Sequence, residues 1–162
     1  MLPVVNENII TVGVGDLKIG KSPKIIKTSL GSCMGVVLYD NINKIGGILH
    51  LMLAKCNDRA GKLSKYADTG IPLLVDLMVN QSNANKKMLT AKIFGGAKMF
   101  NVNSELFDIG KSNAAETRTI LEKMNIRIVA SKTGGTKGYQ ISLDTETGIV
   151  LTRIFGGKRE EY

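Results

Sequence analysis

Cys33 and His50 are the two residues of this chain whose types and spacing point to covalent chemistry. The thiol stands in the small-residue run Thr28-Ser29-Leu30-Gly31-Ser32-Cys33-Met34-Gly35, and His50, the chain's only histidine, follows seventeen residues later. A thiol with an imidazole in reach is the minimum set for a cysteine nucleophile and its base, since the thiolate attacks and its proton needs an acceptor. Gly31, Ser32 and Gly35 permit tight backbone geometry, and such a turn aims N–H groups at a developing oxyanion. Residue types alone leave two plainer readings open: a buried structural thiol, and a core histidine satisfied by a backbone carbonyl.

The flanking elements decide whether the two groups can meet. Val36-Val37-Leu38-Tyr39 and Gly46-Gly47-Ile48-Leu49-His50-Leu51-Met52-Leu53 are apolar runs, separated by the turn formers Asp40-Asn41-Ile42-Asn43-Lys44. That pattern predicts a β-hairpin, which sets the start of its first strand beside the end of its second. Cys33 and His50 are thereby expected at one end of one sheet. Around this hairpin, strands are expected over Ile9–Val14, Leu17–Ile19 and Ile25–Thr28. Ile71, Leu74, Val75 and Met78 recur at helical spacing, predicting a helix over 66–79, with Pro72 marking its start or a kink nearby. A strand over Met88–Phe94 ends at Gly95-Gly96, and residues 97–110 read as irregular. Ala114, Thr117, Leu121 and Met124 share a second helical face, capped by Ser112 or Asn113. Ile126–Ala130 is a strand, and Tyr139–Leu143 with Ile149–Ile154 form a hairpin around Asp144–Gly148. Gly156-Gly157 opens a charged tail, and 155–162 is expected to fray. Strand clusters with helices interposed predict an α+β fold of layered sheets.

Bulk properties narrow the class. With 43% hydrophobic and 22% charged residues, the 162-residue chain is expected to form one globular domain over 1–162. No apolar run approaches the ~20 residues of a membrane helix, and the first residues lack a signal-peptide pattern. Two cysteines make no disulfide scaffold, so a reduced, cytoplasmic protein is expected. The net charge of +8 raises nucleic-acid binding, but the basic residues are scattered and aromatics are only 5%, with no Trp, so stacking platforms are lacking. A positive surface suits an acidic protein partner equally well. Cys56 lies in the polar stretch Lys55-Cys56-Asn57-Asp58, and two Cys with one His are too few for zinc, so no metal or other cofactor is expected. Gly95-Gly96 and Gly134-Gly135 match neither phosphate-binding glycine pattern and read as turns and close backbone approaches.

Taken in order along the chain, several segments resemble the CheD chemotaxis family of chemoreceptor glutamine deamidases. They are Leu30-Gly31-Ser32-Cys33 with Met34–Asp40, Gly47–Leu53 around His50, Lys65-Tyr66-Ala67-Asp68-Thr69, Ala91–Phe100, Ile109–Asn113 and Thr133-Gly134-Gly135. The resemblance implies an α/β sandwich similar to the cysteine deamidase toxins. It implies Cys33 as nucleophile, His50 as base, and a threonine upstream of the cysteine as third catalytic residue. Here that threonine is Thr28, one residue nearer the cysteine than is usual in the family, with Lys27 at the usual position. Amides from Gly31 through Ser32 to Met34 are expected to hold the oxyanion, and Gly95, Gly96, Met99 and Phe100 to contribute a substrate or partner surface. Methyl-accepting chemotaxis receptors are the implied substrates, and a CheC-type phosphatase the implied partner. The competing class is a non-catalytic adaptor that binds receptors and the phosphatase. A general thiol amidase for small substrates is a third reading, testable with free glutamine.

Overall fold

The structure is a computed structural model that describes residues 6–57, 61–99 and 108–162. Along the chain run β1 (Ile9–Thr11), β2 (Leu17–Lys21), β3 (Ile25–Leu30), β4 (Met34–Asp40), β5 (Ile45–Leu51), α1 (Ala67–Asn80), β6 (Leu89–Gly95), α2 (Ile109–Lys123), β7 (Arg127–Thr133), β8 (Tyr139–Asp144), β9 (Val150–Ile154) and β10 (Arg159–Glu161). Among the described residues ten strands form two sheets, ordered β1-β3-β8-β9-β10 and β2-β5-β4-β6-β7. Both sheets are mixed: β1–β3 and β6–β7 pair in parallel, and the other neighbours are antiparallel.

The architecture is a layered α+β sandwich, and its layers follow from residue parity. Along β4, Met34, Val36 and Leu38 join Leu49 and Leu51 of β5 and the apolar faces of α1 and α2 in one core. The alternate residues, Val37 and Ile48 among them, meet Ile26 and Leu30 of β3 and Ile141 and Leu143 of β8 in a second core between the sheets. Strands β4 and β5 are therefore covered on both faces and buried along their whole length. Each fully buried Leu or Ile contributes about 1.5–3 kcal/mol.

The central hairpin has the expected position. Its turn is closed by Asp40, whose Oδ1 accepts from the N–H groups of Ile42 (2.9 Å) and Asn43 (3.0 Å), while Lys44 adopts a φ of 55°. Gly35 stands opposite His50 in the β4–β5 register.

Four expectations are corrected. First, β1 ends at Thr11, because Val12 turns inward: it is buried, and its N–H donates to Lys27 O. Second, α1 runs through Pro72, which sits exposed in its second turn, facing water where its missing N–H disturbs no packing. Third, α2 begins a turn earlier than its apolar periodicity indicates: Asp108 is its cap, with Oδ1 accepting from Lys111 N, and Asn113 lies inside the helix.

Fourth, the C-terminal segment is not frayed. β10 pairs with β9, and Tyr162 exchanges two main-chain hydrogen bonds with Val150, both 2.9 Å. The Tyr162 ring meets Phe94 edge-on at 5.5 Å, and the Lys92 ammonium donates to Tyr162 O (2.7 Å) and Gly148 O (2.8 Å). A part-buried ammonium needs such acceptors, and the residue after the last strand supplies one.

Candidate active site

Three residues, Gly31, Ser32 and Cys33, carry the chain from β3 of one sheet to β4 of the other. All three carbonyls of this crossing are held. Gly31 O accepts from Ala97 N (3.0 Å), Ser32 O from Asn113 Nδ2 (3.3 Å) and Cys33 O from Gly96 N (2.9 Å). By contrast, the N–H groups of Gly31, Ser32 and Cys33 reach no oxygen acceptor among the described residues. Donors with no oxygen partner, on a braced backbone, are the raw material of an anion-stabilising loop.

The brace is the reason for glycine at 95. Gly95 has a φ of 100°, and a Cβ there would stand 2.2 Å from Cys33 O. Its N–H donates to Tyr139 Oη (2.7 Å), and its carbonyl accepts from Gly134 N (2.9 Å). Gly135 O in turn accepts from Lys98 N (2.9 Å), so the two glycine pairs lock together beside the cysteine. Gly95 and Gly96, expected at a docking surface, are buried instead. Glycine spacing reports close backbone approach, not exposure. Met99 is 47% exposed, and its side chain lies over Gly31. Phe100 lies outside the described residues.

His50 enters from β5 and faces the other sheet. Thr28 of β3, at the inward parity shared with Ile26 and Leu30, places Oγ1 2.7 Å from His50 Nδ1. Both residues are buried, at 3% and 2% exposure. The Thr28 hydroxyl has one proton, and it donates to Val12 O at 2.8 Å. Oγ1 must therefore accept from Nδ1–H, an assignment made from the bonding pattern, and Nε2 carries the free lone pair. The histidine backbone is tied as well: its N–H donates to Asp16 O (2.9 Å), and its carbonyl accepts from Gly15 N (2.8 Å). Across β4 the imidazole faces glycine. A Cβ at Gly35 would come within 2.8 Å of Leu30 Cδ1 and 3.0 Å of Ile141 Cδ1.

Cys33 is half-buried and sits diagonal to His50, two positions before its cross-strand partner Gly35. Burial pushes the thiol above its usual 9.0, opposed by its own backbone N–H. Burial pulls the imidazole below its usual 6.5. Both shifts favour a neutral thiol beside a neutral imidazole, and no Cys33–His50 hydrogen bond is present among the described residues. Met34 opens β4 with its side chain buried in the helix-side core, so only its main chain faces the crossing.

Sequence reasoning missed two supports. Tyr139 bridges Gly95 N and Lys132 O, a contact no local pattern signals. Asn113, expected with Ser112 as a candidate cap, precedes Thr117 by four residues and Leu121 by eight, which places it on the buried stripe of α2. Among the described residues, no group of three or more His, Cys, Asp or Glu comes together to hold a metal.

Comparison with known proteins gives a consistent picture. A family model described as CheD chemotactic sensory transduction matches residues 52–154, a span that begins just after His50. Similarity to curated relatives extends over about nine-tenths of the chain. A probable chemoreceptor glutamine deamidase CheD of Caldanaerobacter subterraneus subsp. tengcongensis is 44% identical over 154 residues, spanning 91% of this chain and 94% of its own. Its namesake in Methanococcus maripaludis is 42% identical over 146 residues, with 90% and 94% covered. That of Pyrococcus abyssi is 43% identical over 154 residues, with 92% and 94% covered. Among solved structures, the hypothetical protein YfiH of Bacillus licheniformis superposes with a TM-score of 0.51 at 15% identity, over 81% of this chain and 61% of that one. This last likeness is one of fold alone.

Proposed function

Because the chain belongs to the CheD family of chemotactic sensory transduction proteins, we propose that it is a chemoreceptor glutamine deamidase, with Cys33 as nucleophile, His50 as general base and acid, and Thr28 as the residue that orients the imidazole. The observation that carries this reading is the Thr28–His50 hydrogen bond, which leaves Nε2 as the free base, supported by the Gly31 and Ser32 N–H groups that reach no oxygen acceptor among the described residues. Its relatives are named for this activity over nearly their full length.

In the first half-reaction Nε2 takes the Cys33 proton as Sγ bonds to the carboxamide carbon of a receptor glutamine. Negative charge develops on the amide oxygen, which the N–H groups between Gly31 and Met34 receive. Collapse breaks the C–N bond, and the imidazolium returns its proton so that ammonia leaves. Water, deprotonated by the same imidazole, then attacks the thioester; the thiol is regenerated and the side chain becomes glutamate. General acid–base help of this kind is worth about 10²–10⁴-fold, and each oxyanion donor about 10²–10³-fold in kcat.

The protein acts in the cytoplasm on the receptors' soluble portions; among its described residues no helix is long and apolar enough to cross a membrane. A CheC-type phosphatase is its second partner, engaged through the exposed side of the Lys98-Met99 segment. The rival reading, an adaptor with a silent cysteine, draws on the elevated thiol. Peptide mass mapping of a receptor cytoplasmic fragment after incubation separates them. Glutamine-to-glutamate conversion at specific sites supports the deamidase; an unmodified fragment after prolonged incubation leaves the adaptor.

A further inference from the structure

Asn113 is an unusual residue to find inside a helix and 1% exposed. Asparagine is a poor helix former, and a buried carboxamide is costly unless its polar atoms are satisfied. Only half of this one is. The Nδ2 group donates twice, to Met52 O at 2.9 Å and to Ser32 O at 3.3 Å, while Oδ1 is buried with no partner among the described residues. Turning the amide over would direct Oδ1 at two carbonyl oxygens, so the orientation is set by the acceptors.

Those acceptors belong to the two halves of the site. Ser32 precedes the cysteine in the crossing from β3 to β4, and Met52 follows β5 two residues after His50. A single side chain from a third element thus staples the thiol loop to the end of the histidine strand. The helix is brought close enough by Gly110. A Cβ there would stand 2.3 Å from Gly96 O and 2.9 Å from Ala97 O, main-chain atoms that cannot swing aside. Gly96 N in turn holds Cys33 O.

We propose that Asn113 is a positioning residue that fixes the distance between Cys33 and His50, a role that draws its catalytic consequence from the deamidase reading above. It touches neither reacting group. Its effect runs through Ser32 O and Met52 O, and misplacement of a reacting atom by about 1 Å costs up to about 10²-fold in rate.

Asn113→Leu tests this, because it keeps the side chain's size, deletes both donated hydrogen bonds and also deletes the unsatisfied Oδ1. A residue retained for stability alone would leave activity intact in this variant. The positioning role predicts a fall in kcat of about 10–10²-fold, with KM within about twofold of wild type and thermal stability not lowered in proportion. It also predicts faster iodoacetamide labelling of Cys33 relative to Cys56, since a released loop exposes the thiol while disabling it. Slower turnover with faster labelling is a pattern that simple loss of the nucleophile does not give. Should Asn113→Leu fail to fold, Asn113→Asp keeps the shape and replaces the donor, with the same two changes expected. Unchanged kcat in a folded variant, a loss confined to KM, or unaltered labelling of Cys33 overturns the assignment. If wild-type protein releases no ammonia, the deamidase reading falls, and the labelling comparison alone decides the positioning of Cys33.

Discussion

Thr28 and His50 come from different sheets and meet across the gap between them, Oγ1 to Nδ1 at 2.7 Å, with the threonine proton already committed to Val12 O. The imidazole is thereby held in one tautomer and one rotation before any substrate arrives. That preorganisation generates the first prediction.

Thr28→Val keeps the shape and removes the acceptor of Nδ1–H and the donor to Val12 O. Leaving those buried groups unpaired costs about 1–3 kcal/mol of stability. Deamidation should slow by less than the full 10²–10⁴-fold or so that general acid–base help supplies, because Nε2 survives but is no longer aimed. Thr28→Ser restores most of the rate. Steady-state kinetics and thermal unfolding check both, and a Thr28→Val enzyme as fast as wild type would show that another group orients the ring.

The second prediction is a pH profile. Burial keeps the His50 imidazole below its usual 6.5, so below that pH the unfolded chain binds a proton that the folded chain resists. This share of stability is full above 6.5 and is lost as pH falls from there toward the folded value. Cys33 has the opposite sense: the thiol is held above its usual 9.0, and its share is present below 9.0 and lost as pH rises through the folded value. Activity should accordingly fall on an acid limb below 6.5, as the base is protonated. Labelling of Cys33 by iodoacetamide should reach half its maximum above pH 9.0 in the free enzyme. Half-maximal labelling near neutrality would mean a standing thiolate–imidazolium pair.

Gly95→Ala is the third. The added Cβ meets Cys33 O at 2.2 Å, and a φ of 100° is strained for any L side chain. Strain of this kind costs about 1–3 kcal/mol, and relief requires Cys33 to move. A melting temperature lowered along with kcat is expected, whereas Gly134→Ala, which meets nothing within 4 Å, pays only for its φ of 85° and should lose less activity. Equal losses in the two variants would deny Gly95 its special relation to the cysteine loop.

Fourth, removal of residues 159–162 should destabilise the protein well beyond the loss of a loose tail. It strips the Lys92 ammonium of one of its two carbonyls, worth about 1.5–3 kcal/mol for a charged group. It also removes the Phe94–Tyr162 edge contact, worth about 0.5–1.5 kcal/mol. Denaturant titration measures this directly, and an unchanged midpoint would return 159–162 to the status of a frayed end.

The parts of the molecule that were legible in the sequence are those set by nearest neighbours along the chain. Apolar runs around Asp40–Lys44 predict the β4–β5 hairpin and the shared sheet end of Cys33 and His50; the structure adds the register, Gly35 opposite His50. The same register puts Cys33 beside the histidine strand. Contacts made across sheets leave no such trace. Counting residues in the loop sets Thr28 one place from its usual spacing, but its contact with His50 depends on how the two sheets face each other. Tyr162 lies 70 residues from Lys92, and nothing in the polar C-terminal run signals that its carbonyl answers a half-buried ammonium. Asn113 was misread for a related reason: asparagine favours caps, and only its parity with Thr117 and Leu121 betrays a buried position. At Gly95-Gly96 the residues signal a close backbone approach, which the contact with Cys33 O bears out, whereas the surface role implied by the resemblance fails because that approach puts both glycines inside the protein.

Catalysis turns on one sulfur, and ammonia release from a receptor cytoplasmic fragment tests its role when wild type, Cys33→Ala and Cys56→Ala are run together. Ammonia stoichiometric with new glutamate from wild type and Cys56→Ala, and none above background from a folded, receptor-binding Cys33→Ala, is the predicted result. Continued release by Cys33→Ala would contradict it.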